Sequence, residues 1–202
     1  MSVRMAGMSP SLREQHKART SASIASAALE LFAARGYAAV TVSEVAAAAG
    51  VGERTLYRYF ADKEDLLFGE DEQLRATLRS AIEQQPDGQP PFTMLREASA
   101  SVARVLQGRR EEVARRARVI ASSAALSARD RAKRGAWESL LADGLSRRGV
   151  PPAQAALLGR IGVACHDEAL TRWLEQDRPR RSLDGELDAA FTQLATLTAE
   201  GL

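Results

Sequence analysis

The 202-residue chain has one cysteine, three lysines and few aromatics, and each scarcity excludes something. Cys165 alone cannot form an internal disulfide or a multi-cysteine zinc site, and it suits a reducing compartment. Lysine occurs only at Lys17, Lys63 and Lys133, which argues against a lysine-based membrane patch. The first twenty residues lack the apolar run of about seven that a leader needs, and no later stretch approaches ~18 uninterrupted apolar residues. A soluble, cytoplasmic protein with no membrane partner is expected. The chain also lacks a phosphate-binding loop, a dinucleotide fingerprint, a zinc-protease helix and a serine-nucleophile elbow, so neither an enzyme nor a cofactor is expected. His166-Asp167-Glu168 is no metal site either: consecutive helical residues point ~100° apart, and no second His or Cys follows one turn on.

Alanine is abundant, with 38 residues among a 45% hydrophobic content, so the apolar side chains are largely short and strongly helix-favouring. The length allows one ordinary domain, or a small domain joined to a larger one. The net charge of +2 hides an asymmetry. Residues 1–60 carry Arg4, Arg13, Lys17, Arg19, Arg35, Arg54 and Arg58 against Glu14, Glu30, Glu44 and Glu53. Residues 61–72 reverse the sign, with Asp62, Glu64, Asp65, Glu70, Asp71 and Glu72 against Lys63. A basic stretch that ends so abruptly suits a DNA-facing module joined to something else.

Residues 1–12 lack periodicity and contain Gly7 and Pro10, which predicts a disordered arm. Ile24, Ala28, Leu31 and Phe32 repeat at helical spacing, and Gly36 is a stop, so a helix is expected from about Arg13 to Arg35. Thr41 and Glu44 make a capping-box pattern before a short helix to Ala49. Gly50-Val51-Gly52 breaks it, and Glu53 to Phe60 forms a third helix. A fourth opens at Asp62 and runs to about Gln84, where Gln85-Pro86-Asp87-Gly88-Gln89-Pro90-Pro91 is the strongest linker. Further helices are expected at about 92–107, 109–123, 127–149, 152–177 and 183–199, with Arg178-Pro179 ending the penultimate one.

Within Val45–Tyr59 the spacing fits two short helices crossing steeply: Ala46 is small at the approach, Gly50 allows positive φ, and Val45, Val51 and Leu56 are apolar. An ordinary core turn would show the same features. The surrounding residues narrow the choice. Ala27-Ala28-Leu29-Glu30-Leu31-Phe32, Gly36-Tyr37, Thr41-Val42-Ser43-Glu44-Val45-Ala46, Ala49-Gly50-Val51, Thr55-Leu56-Tyr57-Arg58-Tyr59-Phe60 and Lys63-Glu64-Asp65-Leu66-Leu67 follow in order over roughly residues 19–68. In these motifs the chain resembles the TetR family of bacterial transcriptional regulators. The rest is similar only in length and helix content to that family's ligand-binding and dimerisation domain.

The resemblance implies an all-α fold of about nine helices: a three-helix helix-turn-helix DNA-binding domain over 13–62 and a helical ligand-binding and dimerisation domain over 63–202. It also implies a homodimer that leaves a palindromic operator when a small-molecule effector binds; a DNA-binding protein whose larger domain serves only dimerisation is the alternative. Arg54, Thr55 and Arg58 are the base-reading candidates, since Arg forks onto guanine and the Thr methyl meets a thymine methyl. A solvated surface cation is the plainer reading of either Arg. Thr41, Tyr57 and Lys63 match family positions that hold phosphate, with Tyr59 a further candidate or a packing partner of Phe60. Phe32, Leu56 and Phe60 belong to the core. Gly52 departs from the family, which often has Ser or Thr there; Glu53 then faces a cytosine amino group or only the helix dipole. Arg4, Arg13 and Lys17 are either a minor-groove extension or a solvated arm.

The last two helices carry the expected dimer seam: Leu158, Ile161, Gly162, Cys165 and Ala169, then Leu187, Phe191 and Leu194. Intramolecular core is the alternative. The expected effector pocket is lined by Phe92, Met94, Arg118, Trp137, Leu141, His166 and Trp173, being mostly apolar with a few polar groups. Arg118 meets an anionic ligand or pairs with Glu168 or Glu175, and His166 belongs to the pocket, the core or the seam.

Overall fold

A computed structural model describes residues 12–176 and 181–199. The expected arm, apart from Leu12, and the stop at Arg178-Pro179 lie outside the described residues. The fold is all-α. Its helices are α1 (Leu12–Arg35), α2 (Val42–Ala48), α3 (Glu53–Tyr59), α4 (Asp65–Phe68), α5 (Asp71–Glu83), α6 (Pro91–Leu106), α7 (Arg110–Ala121), α8 (Ala124–Arg147), α9 (Pro152–Glu175) and α10 (Leu183–Ala199). A 3-10 turn at Gln107–Arg109 precedes α7.

One expectation fails at the junction. The single helix expected from Asp62 to Gln84 is two, α4 and α5, which makes ten α-helices among the described residues rather than nine. Leu66, Leu67 and Phe68 are all buried, and three consecutive helical residues cannot share one face of a straight helix. Asp62 lies in the turn before α4, whose N-cap is Glu64, and its Oδ1 accepts the Asp65 N–H at 2.7 Å. The contacts divide the chain into two compact units between Gly69 and Glu70, so α4 belongs with the helix-turn-helix segment.

In the first unit, Ile24, Ala28 and Phe32 of α1, Val45 and Ala46 of α2, Leu56 of α3, Phe60, and Leu66 and Leu67 of α4 are buried. In the second, α9 packs against α6, α8 and α10, and α6 also meets α5. The linker before α6 is pinned: Arg148 donates to the carbonyls of Gln85 (2.6 Å) and Pro86 (2.8 Å) and pairs with Asp87 at 3.1 Å. Pro91 then starts α6, where a missing N–H costs nothing.

Most of the expected dimer-seam residues contribute to the core of the protomer. Leu158, Gly162, Cys165, Ala169, Leu187 and Phe191 are buried inside the protomer, with Ile161 and Leu194 packed at the edge of the same core. A Cβ on Gly162 would lie 2.6 Å from Leu95, and one on Gly159 2.5 Å from the Glu138 carbonyl. The small-residue stripe of α9 thus lets it approach α6 and α8. An amphipathic stripe shows that a face is covered, and here the cover is the chain itself.

Candidate nucleic-acid interface

The site begins at the Thr41 cap. Thr41 Oγ1 accepts the Glu44 N–H (3.3 Å), and the Glu44 carboxylate accepts the Thr41 N–H at 2.7 Å and its hydroxyl at 2.9 Å. Both halves of the capping box are present. Arg35, at the end of α1, pairs with Glu44 at 2.7 Å and so ties α1 to the start of α2. The Thr41 N–H above all, then Arg35, hold the Glu44 carboxyl well below its ordinary 4.5, at about 2.

This makes an acid-sensitive cap. Because the folded state lowers the Glu44 pKa, its stabilisation is complete above about pH 4.5 and is lost as the pH falls through about 2. A carboxyl NMR titration should find Glu44 half-protonated near pH 2, and Glu44→Gln should flatten the loss of thermal stability between pH 4.5 and pH 2. Thr41→Ala should cost about 1 kcal/mol of stability at neutral pH, the usual worth of an N-cap, as read from urea unfolding.

The turn follows from Gly50, whose φ of 68° places it in the left-handed region. The Val51 N–H reaches back to the Ala46 carbonyl at 3.0 Å, closing α2 and redirecting the chain. Gly52 is the N-cap of α3 and supplies no side-chain bond. The Ser43 hydroxyl donates to the Glu53 carboxylate, which joins α2 to α3. That contact crosses ten residues and leaves no local spacing signal.

The helix α3 has two distinct sides. Leu56 is 0% exposed and Phe60 is buried as its C-cap, with the Phe60 N–H closing on the Leu56 carbonyl at 3.0 Å. Glu53, Arg54, Tyr57 and Arg58 are exposed, and Thr55 is half-buried between them. Positions 54, 57 and 58 follow three- and four-residue spacing and share one outward face. The Arg58 guanidinium lies 5.2 Å from the Tyr59 ring centroid and holds the Tyr59 phenol below its ordinary pKa.

Two expected phosphate contacts are already engaged. The Thr41 hydroxyl proton goes to Glu44, and Lys63 donates to the Tyr37 carbonyl at 2.6 Å with its ammonium 4.2 Å from the Tyr37 ring centroid. Burial lowers the Lys63 pKa. Lys63 keeps two further donors, so this contact orients it without exhausting it. Arg13 and Lys17 stand exposed on the first turns of α1.

The expected effector-pocket residues, Arg118 and His166 apart, lie in or against the core of the second unit. Met94, Leu141 and Trp173 are buried in the core of the second unit. Phe92 packs edge-on against Phe191 at 5.3 Å between centroids. Trp137 donates its indole N–H to Asp71 at 2.8 Å and stacks on the half-buried His166 at 6.4 Å. Burial pushes that imidazole down to about 4, so it is neutral at physiological pH. Arg118 is exposed on α7, and Glu168 instead accepts from Arg172 at 2.6 Å. Among the described residues no cluster of His, Cys, Asp and Glu could hold a metal ion.

Two short helices around a glycine turn, with an apolar inner face and a cationic outer one, define a helix-turn-helix DNA-binding protein. The family model for bacterial regulatory proteins of the tetR family matches residues 24–69. A second model, for the MftR C-terminal domain, matches residues 89–199, more than half of the sequence. The chain belongs to the TetR family of transcriptional regulators.

It is 34% identical over 113 residues to the HTH-type transcriptional regulator TcmR of Streptomyces glaucescens, covering 55% of this chain and 50% of TcmR. The matched region therefore spans half the length of that relative. It is 29% identical over 173 residues to the transcriptional regulator MftR of Mycobacterium tuberculosis, covering 83% and 85% of the two chains. Among solved structures, FadR of Bacillus subtilis in complex with stearoyl-CoA aligns with a TM-score of 0.62 at 22% identity, over 86% of this chain and 96% of that one. Thermus thermophilus FadR in complex with lauroyl-CoA aligns with a TM-score of 0.55 at 26% identity, over 87% and 93%. The Bacillus likeness is one of fold.

Proposed function

We propose that the chain is a cytoplasmic homodimeric repressor that binds a palindromic operator and releases it when a small molecule binds the helical unit 70–202. The outward face of α3 carries this reading: Arg54, Tyr57 and Arg58 stand free of the core that holds Leu56. Arg54, Thr55 and Arg58 read base edges, and Thr41, Tyr57, Tyr59 and Lys63 hold phosphates. One such helix covers too few base pairs to select a site in a genome, so two copies must act together.

The seam between copies is then not the buried stripe but the outer face of α9 and α10. Leu157 there is 58% exposed, with Ala164 beside it on α9 and Thr192 and Thr196 on α10. No helix among the described residues is long and apolar enough to cross a membrane. An acyl-CoA is the first effector class to try, because two similarly folded regulators are solved with stearoyl-CoA and lauroyl-CoA. Phe92, Trp137 and His166, half-buried at the core edge, remain the candidate lining. A second reading, in which unit 70–202 serves only assembly, draws support from Met94, Leu141 and Trp173 lying within the core.

A gel shift and footprint on DNA upstream of the protein's own gene test this. Two protected half-sites are expected ~34–36 Å apart, or a multiple of that. Binding should weaken steeply with salt, with a log–log slope of about −0.9 per phosphate neutralised. Added acyl-CoA should dissociate the complex. The absence of a sequence-selective shift at moderate salt would overturn the DNA reading, and a shift that no effector disturbs would favour the assembly-only one.

A further inference from the structure

One acid stands on the outward side of α3, and a polyanion gives it no evident place there. Leu56 is buried and sets the rotation of the helix, so Glu53 and Tyr57, one turn apart, are both exposed. Glu53 adds negative charge where Arg54 and Arg58 supply positive. The first turn of α3 receives no side-chain cap bond from Gly52, and the Glu53 carboxylate is turned to α2 instead. Its Oε1 accepts the Ser43 hydroxyl. Ser43 is exposed as well, and the pair lies wholly within the first unit.

A carboxylate only accepts hydrogen bonds, and its two oxygens offer about four lone-pair sites. Ser43 takes one of them, and Oε2 has no partner among the described residues. In the major groove guanine presents N7 and O6 and thymine presents O4, all acceptors that repel a carboxylate. Adenine sets its amino group beside the acceptor N7, whereas cytosine offers an amino group alone. A carboxylate held at the groove therefore favours cytosine over the other three bases. Glutamine carries a donor in addition and fits adenine N6 and N7 together.

We propose that Glu53 is a specificity-determining residue, accepting from a cytosine amino group in each half-site, and that Ser43 is its positioning residue. The inference rests on the operator reading above. An untethered glutamate loses rotamer freedom when it binds and swings away from nearby phosphates. One already tied to α2 has lost that freedom beforehand. A carboxylate cannot hold a helix on DNA, so Glu53 selects only while Arg54 and Arg58 seat α3.

The test is selection of binding sites from a randomised duplex pool by the full chain, followed by competition binding at single positions. The wild type should prefer cytosine at one position of each half-site. Glu53→Gln should move that position from cytosine to adenine, changing the ratio of the two affinities by about fivefold or more, the lower end of a good base contact. Every other position should keep its preference. Ser43→Ala should cut the cytosine preference at the same position alone, and Ser43→Thr, which keeps a hydroxyl, should restore it. A Ser43 that only supports the fold would instead weaken binding alike on all sequences. Loss of charge alone would tighten Glu53→Gln binding on every sequence without changing which is preferred. Glu53→Gln keeps the side-chain shape at an exposed position, so its result stands even where Ser43→Ala loosens α2. The proposal is overturned when the wild type selects a site and Glu53→Gln selects the same one, however tightly. Ser43 loses its role when Ser43→Ala retains the full cytosine preference. A wild type that selects no sequence sinks the operator reading itself, and this inference with it.

Discussion

Arg54→Ala combined with Arg58→Ala is expected to abolish discrimination between the operator and unrelated DNA while leaving the fold intact. Both side chains are exposed and on the outward face of α3, so truncation opens no cavity. A good bidentate Arg–guanine contact discriminates by about 1–3 kcal/mol, and losing two multiplies the penalties. Competition binding against random-sequence DNA reads this ratio directly, and circular dichroism checks the fold. Tyr57→Phe supplies the contrast: a lost phosphate contact should weaken binding uniformly across sequences. Arg58→Ala also frees the Tyr59 ring, so its cost should exceed that of Arg54→Ala if Tyr59 holds phosphate. Undiminished discrimination by the double variant would remove α3 from base reading.

Leu56→Ala should do the opposite, destroying the platform while leaving every DNA-facing side chain in place. Leu56 is 0% exposed and packs in the core of the first unit with Phe32, Val45 and Phe60. Deleting a buried leucine costs about 2–5 kcal/mol, depending on how far the cavity collapses. Small units bury a lower fraction of their surface and have little stability to lose, so the helix-turn-helix should open locally. Hydrogen exchange would show lost protection over α2 and α3 with α9 and α10 unchanged. Operator binding should fall with it, although Arg54 and Arg58 are still present. Wild-type protection at 53–60 in this variant would mean that α3 is not held by its apolar side.

The helix-turn-helix was legible because its instructions are local. Thr41 and Glu44 are three residues apart and close a capping box, and Gly50 carries the one positive φ that the turn requires. The alternation of Leu56 and Phe60 with Arg54, Tyr57 and Arg58 likewise states which side of α3 is buried. What escaped was long-range. Glu70 meets arginines 39 and 46 residues further on, and Lys63 meets a carbonyl 26 residues back. A backbone carbonyl leaves no mark in a sequence, and neither does the pairing of one arginine among many.

By itself the sequence determined the all-helical class, the caps and turn of the DNA-facing segment and the family, because helix period, capping and glycine turns act over a few residues. The tertiary structure alone decided what covers each apolar stripe. Leu158, Gly162 and Phe191 could equally have met a second copy or α6 and α8, since water is excluded from a greasy face by any complementary surface. The chain's own helices occupy that face in the fold.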